Sequence, residues 1–211
     1  MSAITQKFFI DGPAGKLEAV LGEPESAPKG IAVIAHPHPL HGGTMDNKVV
    51  HTLFTALLKL EFITVKFNFR GVGRSEGSFG QGVGETEDVI AVTQAIRNRF
   101  SHQFPEIPLL LAGFSFGGAV QLHAAEKLAP EFLLLVAPSV ANLRAPPVPE
   151  TTQYALIIHG DKDDVILPEA VLGWAEPAAQ PVLIVPGAEH FFHGKLALLK
   201  RLVFDHFAHR I

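Results

Sequence analysis

Ser115 sits in Gly113-Phe114-Ser115-Phe116-Gly117, a G-x-S-x-G pattern. The apolar run Leu109-Leu110-Leu111-Ala112 precedes it, and helix-forming residues follow it as far as Leu128. A serine at the apex of strand, tight turn and helix stands clear of the backbone. The amides at the helix start point at any negative charge forming beside it. The glycines at 113 and 117 admit the cramped turn, where side chains would collide with backbone. The chemistry this suggests is nucleophilic attack, with the helix start receiving the charge that develops. Gly73-Arg74-Ser75-Glu76-Gly77 fits the same pattern. Ser75 follows the strand-like ITVKFNF but leads into a flexible loop rather than a helix, so Ser115 is the expected nucleophile. The plainer reading of Ser115 is a helix N-cap without chemistry.

A serine hydroxyl needs a base to take its proton, and the base needs a partner to hold its tautomer. Candidates follow in the order Ser…Asp…His. After the run ALII comes His159-Gly160-Asp161-Lys162-Asp163-Asp164-Val165, and after VLIV comes Pro186-Gly187-Ala188-Glu189-His190. Both lie just past a strand's carboxyl end, where they could converge on Ser115. Residue type alone leaves Asp161, Asp163 and Asp164 open as the acid. His193 competes with His190 as the base, but it falls where the last helix is expected to begin.

Stabilising an oxyanion requires backbone donors. The Phe116 amide at the helix start is one. The second is expected from the loop after Ile31–Ala35, where Pro37 and Pro39 have no N–H; that leaves His38, Leu40 or later residues. Leu40 and Phe114 are the expected substrate-lining side chains. The same loop, His36-Pro37-His38-Pro39-Leu40-His41, prompts a zinc reading, because histidines alternate after a strand. The loop offers no aspartate or glutamate to complete the set, and the chain has no cysteine. No metal and no cofactor are expected. Gly71-x-Gly73 lacks the third glycine of a nucleotide loop. Asn68 and Arg70 are expected to order that loop rather than touch substrate.

The elements that must position these residues alternate along the chain. Extended segments are expected at 4–10 and 16–22, forming a hairpin around Asp11-Gly12-Pro13-Ala14-Gly15. Strands are expected at 31–35, 63–69, 109–113, 132–137, 155–158 and 182–185. Helices are expected after an Asp46 cap, at 85–100, after Ser115, at 168–175 and at 194–209. Strands alternating with helices imply a parallel sheet with helices on both faces, and ligands there sit at the carboxyl ends of strands.

The 211 residues suit one domain, 1–211, with a sizeable core. Hydrophobic content is 47%, yet no apolar run approaches a membrane span. A net charge of −4 without a basic stretch argues against nucleic acid. MSAITQKFFIDG has no charged start followed by an apolar core, and the protein is read as cytoplasmic.

Three stretches, HPHPLHGGTMDNKVV, FNFRGVGRSEGSFG and GAEHFFHG, together with the elbow at Ser115, resemble the α/β-hydrolase superfamily from about residue 17 onward. Within it, the chain is similar to small bacterial cap-less hydrolases of the dienelactone-hydrolase-like branch. The resemblance implies Asp163 as the acid, three residues after the glycine of HG-x-x-D, and His190 as the base. It implies His38 as the second oxyanion donor, one residue after His36-Pro37, with Leu40 as second choice. Dienelactone hydrolases proper carry cysteine at the nucleophile and dehalogenases of the superfamily aspartate; this chain has Ser115.

The expectation is a single-domain α/β-hydrolase fold with a mostly parallel sheet of about seven to eight strands. No cap domain is expected. The interval where a cap would be inserted, Ser139 to Gln153, contains Pro146, Pro147 and Pro149, and proline inside a helix costs roughly 3 kcal/mol. The expected reaction is cleavage of carboxylic esters with short acyl groups, through an acyl-enzyme. The partners expected are a small-molecule ester and at most a second copy, with no membrane. The alternatives are a metal-dependent hydrolase on His36, His38 and His41, and a non-catalytic binding domain on the same fold.

Overall fold

The computed structural model describes residues 4–211. The reading that no leader precedes the fold rests in part on residues 1–3, which lie outside it. β1 (Ile4–Gly12) turns over Pro13-Ala14 into β2 (Gly15–Glu23), closing an antiparallel hairpin at the Gly12–Gly15 pair. The chain then alternates: β3 (Gly30–Ala35), α1 (Lys48–Lys59), β4 (Phe62–Phe67), α2 (Val83–Phe100), β5 (Leu109–Phe114) and α3 (Phe116–Leu128). β6 (Phe132–Val136), β7 (Tyr154–Gly160), α4 (Pro168–Ala175), β8 (Leu183–Val185) and α5 (Leu196–Phe207) complete it. One eight-stranded sheet results, in the order β1-β2-β4-β3-β5-β6-β7-β8. β1 and β2 pair antiparallel and β2 meets β4 antiparallel; from β4 to β8 every pairing is parallel.

The central strands read as unbroken apolar runs because both their faces are covered. Ile31, Val33, Leu109 and Leu111 pack in one core with Val89 and Val92 of α2 and Val120 of α3. Ala32, Ile34, Leu110 and Ala112 pack in the other with Leu53 of α1 and Val203 of α5. Successive strand residues point to opposite faces, so each strand feeds both cores. The parallel strands then present their carboxyl ends along one edge, where the chemistry-bearing loops emerge. No helix among the described residues is long and apolar enough to cross a membrane. Residues 137–153, between β6 and β7, contain turns and no helix or strand, so no cap is built there.

Several boundaries differ from the sequence expectation. The strand expected at 63–69 stops at Phe67, because Asn68 is drawn into side-chain bonds: its Oδ1 accepts from Met45 N (2.9 Å) and its Nδ2 donates to Glu18 (2.9 Å). The cap of α1 is Asn47, whose Oδ1 accepts from Val49 N at 2.8 Å; Asp46 instead pairs with Lys66 at 2.8 Å. α2 begins at Val83 rather than 85. Glu85 lies in its first turn, wholly buried, and accepts the amides of Gly80 and Gly82 at 2.7 Å each, which pins the glycine loop to the helix. The last helix is shorter than expected at both ends, Leu196–Phe207.

Candidate active site

The turn from β5 to α3 forces Ser115 to φ 56° and ψ −118°, a sparsely populated conformation for a residue with a side chain. Surrounding bonds hold it there. Its N–H donates to Val136 O (2.9 Å), and its carbonyl accepts from Gly118 N (2.9 Å) and Ser139 N (3.0 Å). Gly113 is required: a Cβ there would lie 2.4 Å from the Gly117 carbonyl oxygen.

Ser115 Oγ is 3.0 Å from His190 Nε2, and His190 Nδ1 is 2.7 Å from Asp163 Oδ2. The three side chains come from the ends of β5, β8 and β7, and all are almost wholly buried. Asp163 Oδ1 accepts the amides of Val165 (3.0 Å) and Ile166 (2.8 Å). Burial alone would push the Asp163 carboxyl up. The hydrogen bond from His190 and the two amides outweigh it, so its pKa lies below the ordinary carboxylate value. An ionised carboxylate thus holds the Nδ1–H of His190 and turns the bare Nε2 toward the serine.

The competing residues lie elsewhere or are occupied. Ser75 Oγ donates to Asn68 O (2.7 Å) and accepts from Glu18 N (2.9 Å), tying the glycine loop to β2. Asp161 is exposed and accepts Gly187 N; Asp164 is exposed. His193 is exposed and lies 3.6 Å from Glu189. Arg70 grips the wholly buried Asp88 through Nε and Nη2 at 2.7–3.1 Å, a loop anchor rather than a substrate contact.

The His36 loop is a structural device. His36 Nδ1 donates to Pro37 O (2.6 Å) and its Nε2 accepts from Phe69 N (3.1 Å), so both ring nitrogens are used. Burial lowers its pKa to about 4, only partly opposed by the bond to Pro37. It therefore has no free nitrogen for a metal. Among the described residues no group of three or more His, Asp or Glu is placed to hold one. His38 Nδ1 accepts the Leu40 amide at 3.2 Å, and its ring stacks on His41 with centroids 4.3 Å apart.

The Leu40 amide is thus occupied. Among the described residues, the amides of His38 and Phe116 make no hydrogen bond within the protein. The rings of the same two residues pack together with centroids 4.9 Å apart. Leu40, expected to line substrate, is 68% exposed. Phe114, expected to line substrate, is wholly buried. Strand alternation turns it into the core, where its ring backs His190 at 4.9 Å. Phe191 was not singled out from sequence; it stands beside His190, 42% exposed at the rim. Its position next to the base was the only signal.

A family model described as serine aminopeptidase, S33, matches residues 27–155, more than half of the chain. The chain belongs to this family of α/β hydrolases. The hydrolase is similar to a solved α/β serine hydrolase without lid from Xanthomonas campestris, at 36% identity and TM-score 0.90 over 100% of this chain and 97% of that one. An α/β serine hydrolase homologue from Coxiella burnetii is 39% identical, with TM-score 0.83 over 95% and 96%. An uncharacterized protein of Rickettsia prowazekii is 29% identical over 95% of this chain and 87% of its own. The hydrolase is accordingly a small cap-less α/β serine-hydrolase type, as the motifs around Ser115 led us to expect.

Proposed function

We propose that this hydrolase cleaves carboxylic esters through an acyl-enzyme on Ser115. The observation that carries the reading is the hydrogen-bonded row Ser115 Oγ–His190 Nε2–His190 Nδ1–Asp163 Oδ2, at 3.0 and 2.7 Å. In this mechanism His190 takes the Ser115 proton as Oγ bonds to the ester carbonyl carbon. The carbonyl oxygen becomes an oxyanion and is received by the Phe116 and His38 amides, which have no competing partner among the described residues. Asp163 stabilises the imidazolium. His190 then gives its proton to the departing alkoxide, which leaves as the alcohol. Water, deprotonated by the same imidazole, releases the acid and restores Ser115.

The substrate we propose is an ester of a short acyl group. The segment 137–153, where a cap would be inserted, contains only turns and supplies no helical wall to sheath a long chain. The test is treatment with a fluorophosphonate, followed by intact and peptide mass. One adduct should form, on Ser115, and Ser115→Ala should lose both the adduct and hydrolysis of p-nitrophenyl acetate while keeping its fold. Ser75→Ala should still hydrolyse the ester. An adduct on Ser75, or an active Ser115→Ala, overturns the reading.

A further inference from the structure

His159, the penultimate residue of β7, is wholly buried and takes no part in the mechanism above. Its Nε2 lies 2.9 Å from the Ile166 carbonyl oxygen, which can only accept, so the ring proton is on Nε2. The same Nε2 lies 3.5 Å from Asp163 Oδ2, the oxygen that receives His190 Nδ1 at 2.7 Å. Its other nitrogen, Nδ1, is buried with no hydrogen-bond partner among the described residues. A bare buried nitrogen is a cost that an apolar side chain of similar size would avoid. Packing alone is therefore a poor account of a histidine here.

We propose that His159 is a positioning residue for Asp163. Its Nε2–H ties the Ile166 carbonyl back to β7, which closes the Val165 and Ile166 amides on Oδ1 of the carboxylate. Its N–H dipole also faces Oδ2, so the carboxylate is held from both sides and aimed at His190. Burial lowers the pKa of His159, with the bond to Ile166 and the charge of Asp163 opposing, and the ring stays neutral. Neutrality suits the role. A second cation beside Asp163 would compete with the imidazolium that forms on His190 during the reaction. The other titratable groups whose charge would reach the ring are His190 and Glu169.

The inference rests on the reading of Ser115, His190 and Asp163 given above. The test compares His159→Leu, which fills the space, with His159→Gln, whose amide N–H can reach the Ile166 carbonyl. Ser115→Ala and His190→Ala are run beside them. The readouts are kcat and KM for p-nitrophenyl acetate, the melting temperature, and the downfield proton resonance of the His190–Asp163 hydrogen bond. His159→Leu should lower kcat about 10- to 100-fold with KM nearly unchanged, and shift or broaden that resonance; His159→Gln should recover most of both.

The inference is overturned if His159→Leu keeps the parent's kcat and resonance. It is equally overturned if the two variants fall by the same amount, which would mean packing alone. Should His159→Leu not fold, a folded His159→Gln that has lost the resonance overturns it, and one that retains it supports it. If Ser115→Ala and His190→Ala hydrolyse the ester normally, the reading of the active site fails. If they are inactive while His159→Leu is unaffected, only the role of His159 fails.

Discussion

Gly117 touches His36 backbone to backbone: a Cβ on Gly117 would lie 2.5 Å from the His36 carbonyl oxygen and 2.5 Å from that of Ala35. The start of α3 is thereby wedged against the end of β3, and the two segments that would supply the oxyanion donors are held in fixed relation. Neither neighbour is a flexible side chain, so Gly117→Ala must move backbone. Overpacking of this kind costs about 1–3 kcal/mol. The variant should show that loss in urea unfolding together with a larger fall in kcat than in substrate binding. Parent-like kcat would mean that the two segments can separate without consequence.

Asp163 and Asp161 are two residues apart, yet only Asp163 reaches His190. Asp163→Asn should lower kcat by several orders of magnitude, on the order of 10⁴ as in the analogous triad substitution. Asp161→Asn, on an exposed carboxylate bonded to Gly187 N, should leave kcat close to the parent. Steady-state kinetics on one ester decides it, and reversed effects would move the acid to Asp161.

Acid should destabilise the fold through His36. Its folded pKa is lowered from 6.5 to about 4, so between those values the unfolded chain binds a proton that the folded protein refuses. Stability is fully present above about pH 6.5 and is lost as pH falls through about 4. The wholly buried ring contributes about 3 kcal/mol across that window. The depressed carboxyl of Asp163 acts with the same sign, below its unfolded pKa. Urea unfolding from pH 7 to 4.5 should show a falling midpoint. His36→Gln should flatten that fall, and an unchanged slope would mean that His36 titrates alike in both states.

An acyl-length limit is expected from the proposed reaction, because no helical cap is built between β6 and β7. Each buried CH₂ contributes about 0.8 kcal/mol, but only where wall remains to receive it. The segment 137–153 supplies no helical cover. kcat/KM should fall from p-nitrophenyl acetate and butyrate to octanoate and palmitate, with no jump at micelle formation. A maximum at octanoate or beyond would reveal a deep acyl channel.

Short-range signals account for the local features. Leu109–Phe114 reads as a buried strand because consecutive apolar residues can only be accommodated with both faces covered. The Gly113 to Gly117 turn is set by residues within five positions of one another. Pro146, Pro147 and Pro149 rule out a helical lid through their own fixed dihedral angles and missing donors. The loops at the strand ends, and so the region of the site, follow from the same short-range signals.

Which neighbours act together depends on the folded chain. Asp161, Asp163 and Asp164 share one loop, and composition leaves them equivalent. Only the approach of His190, 27 positions away, singles out Asp163. The Ser115–His190 bond spans 75 positions. His36 offered two candidate ligand nitrogens in the sequence, and both are taken by Pro37 and by Phe69, an amide from another strand's end. Asn47 rather than Asp46 caps α1 because Lys66, on β4, claims the carboxylate. Phe114 faces the core because it lies on the α1 and α5 side of the sheet. Each of these outcomes depends on the direction of a side chain across a long loop closure, and short-range propensities carry no information about that direction.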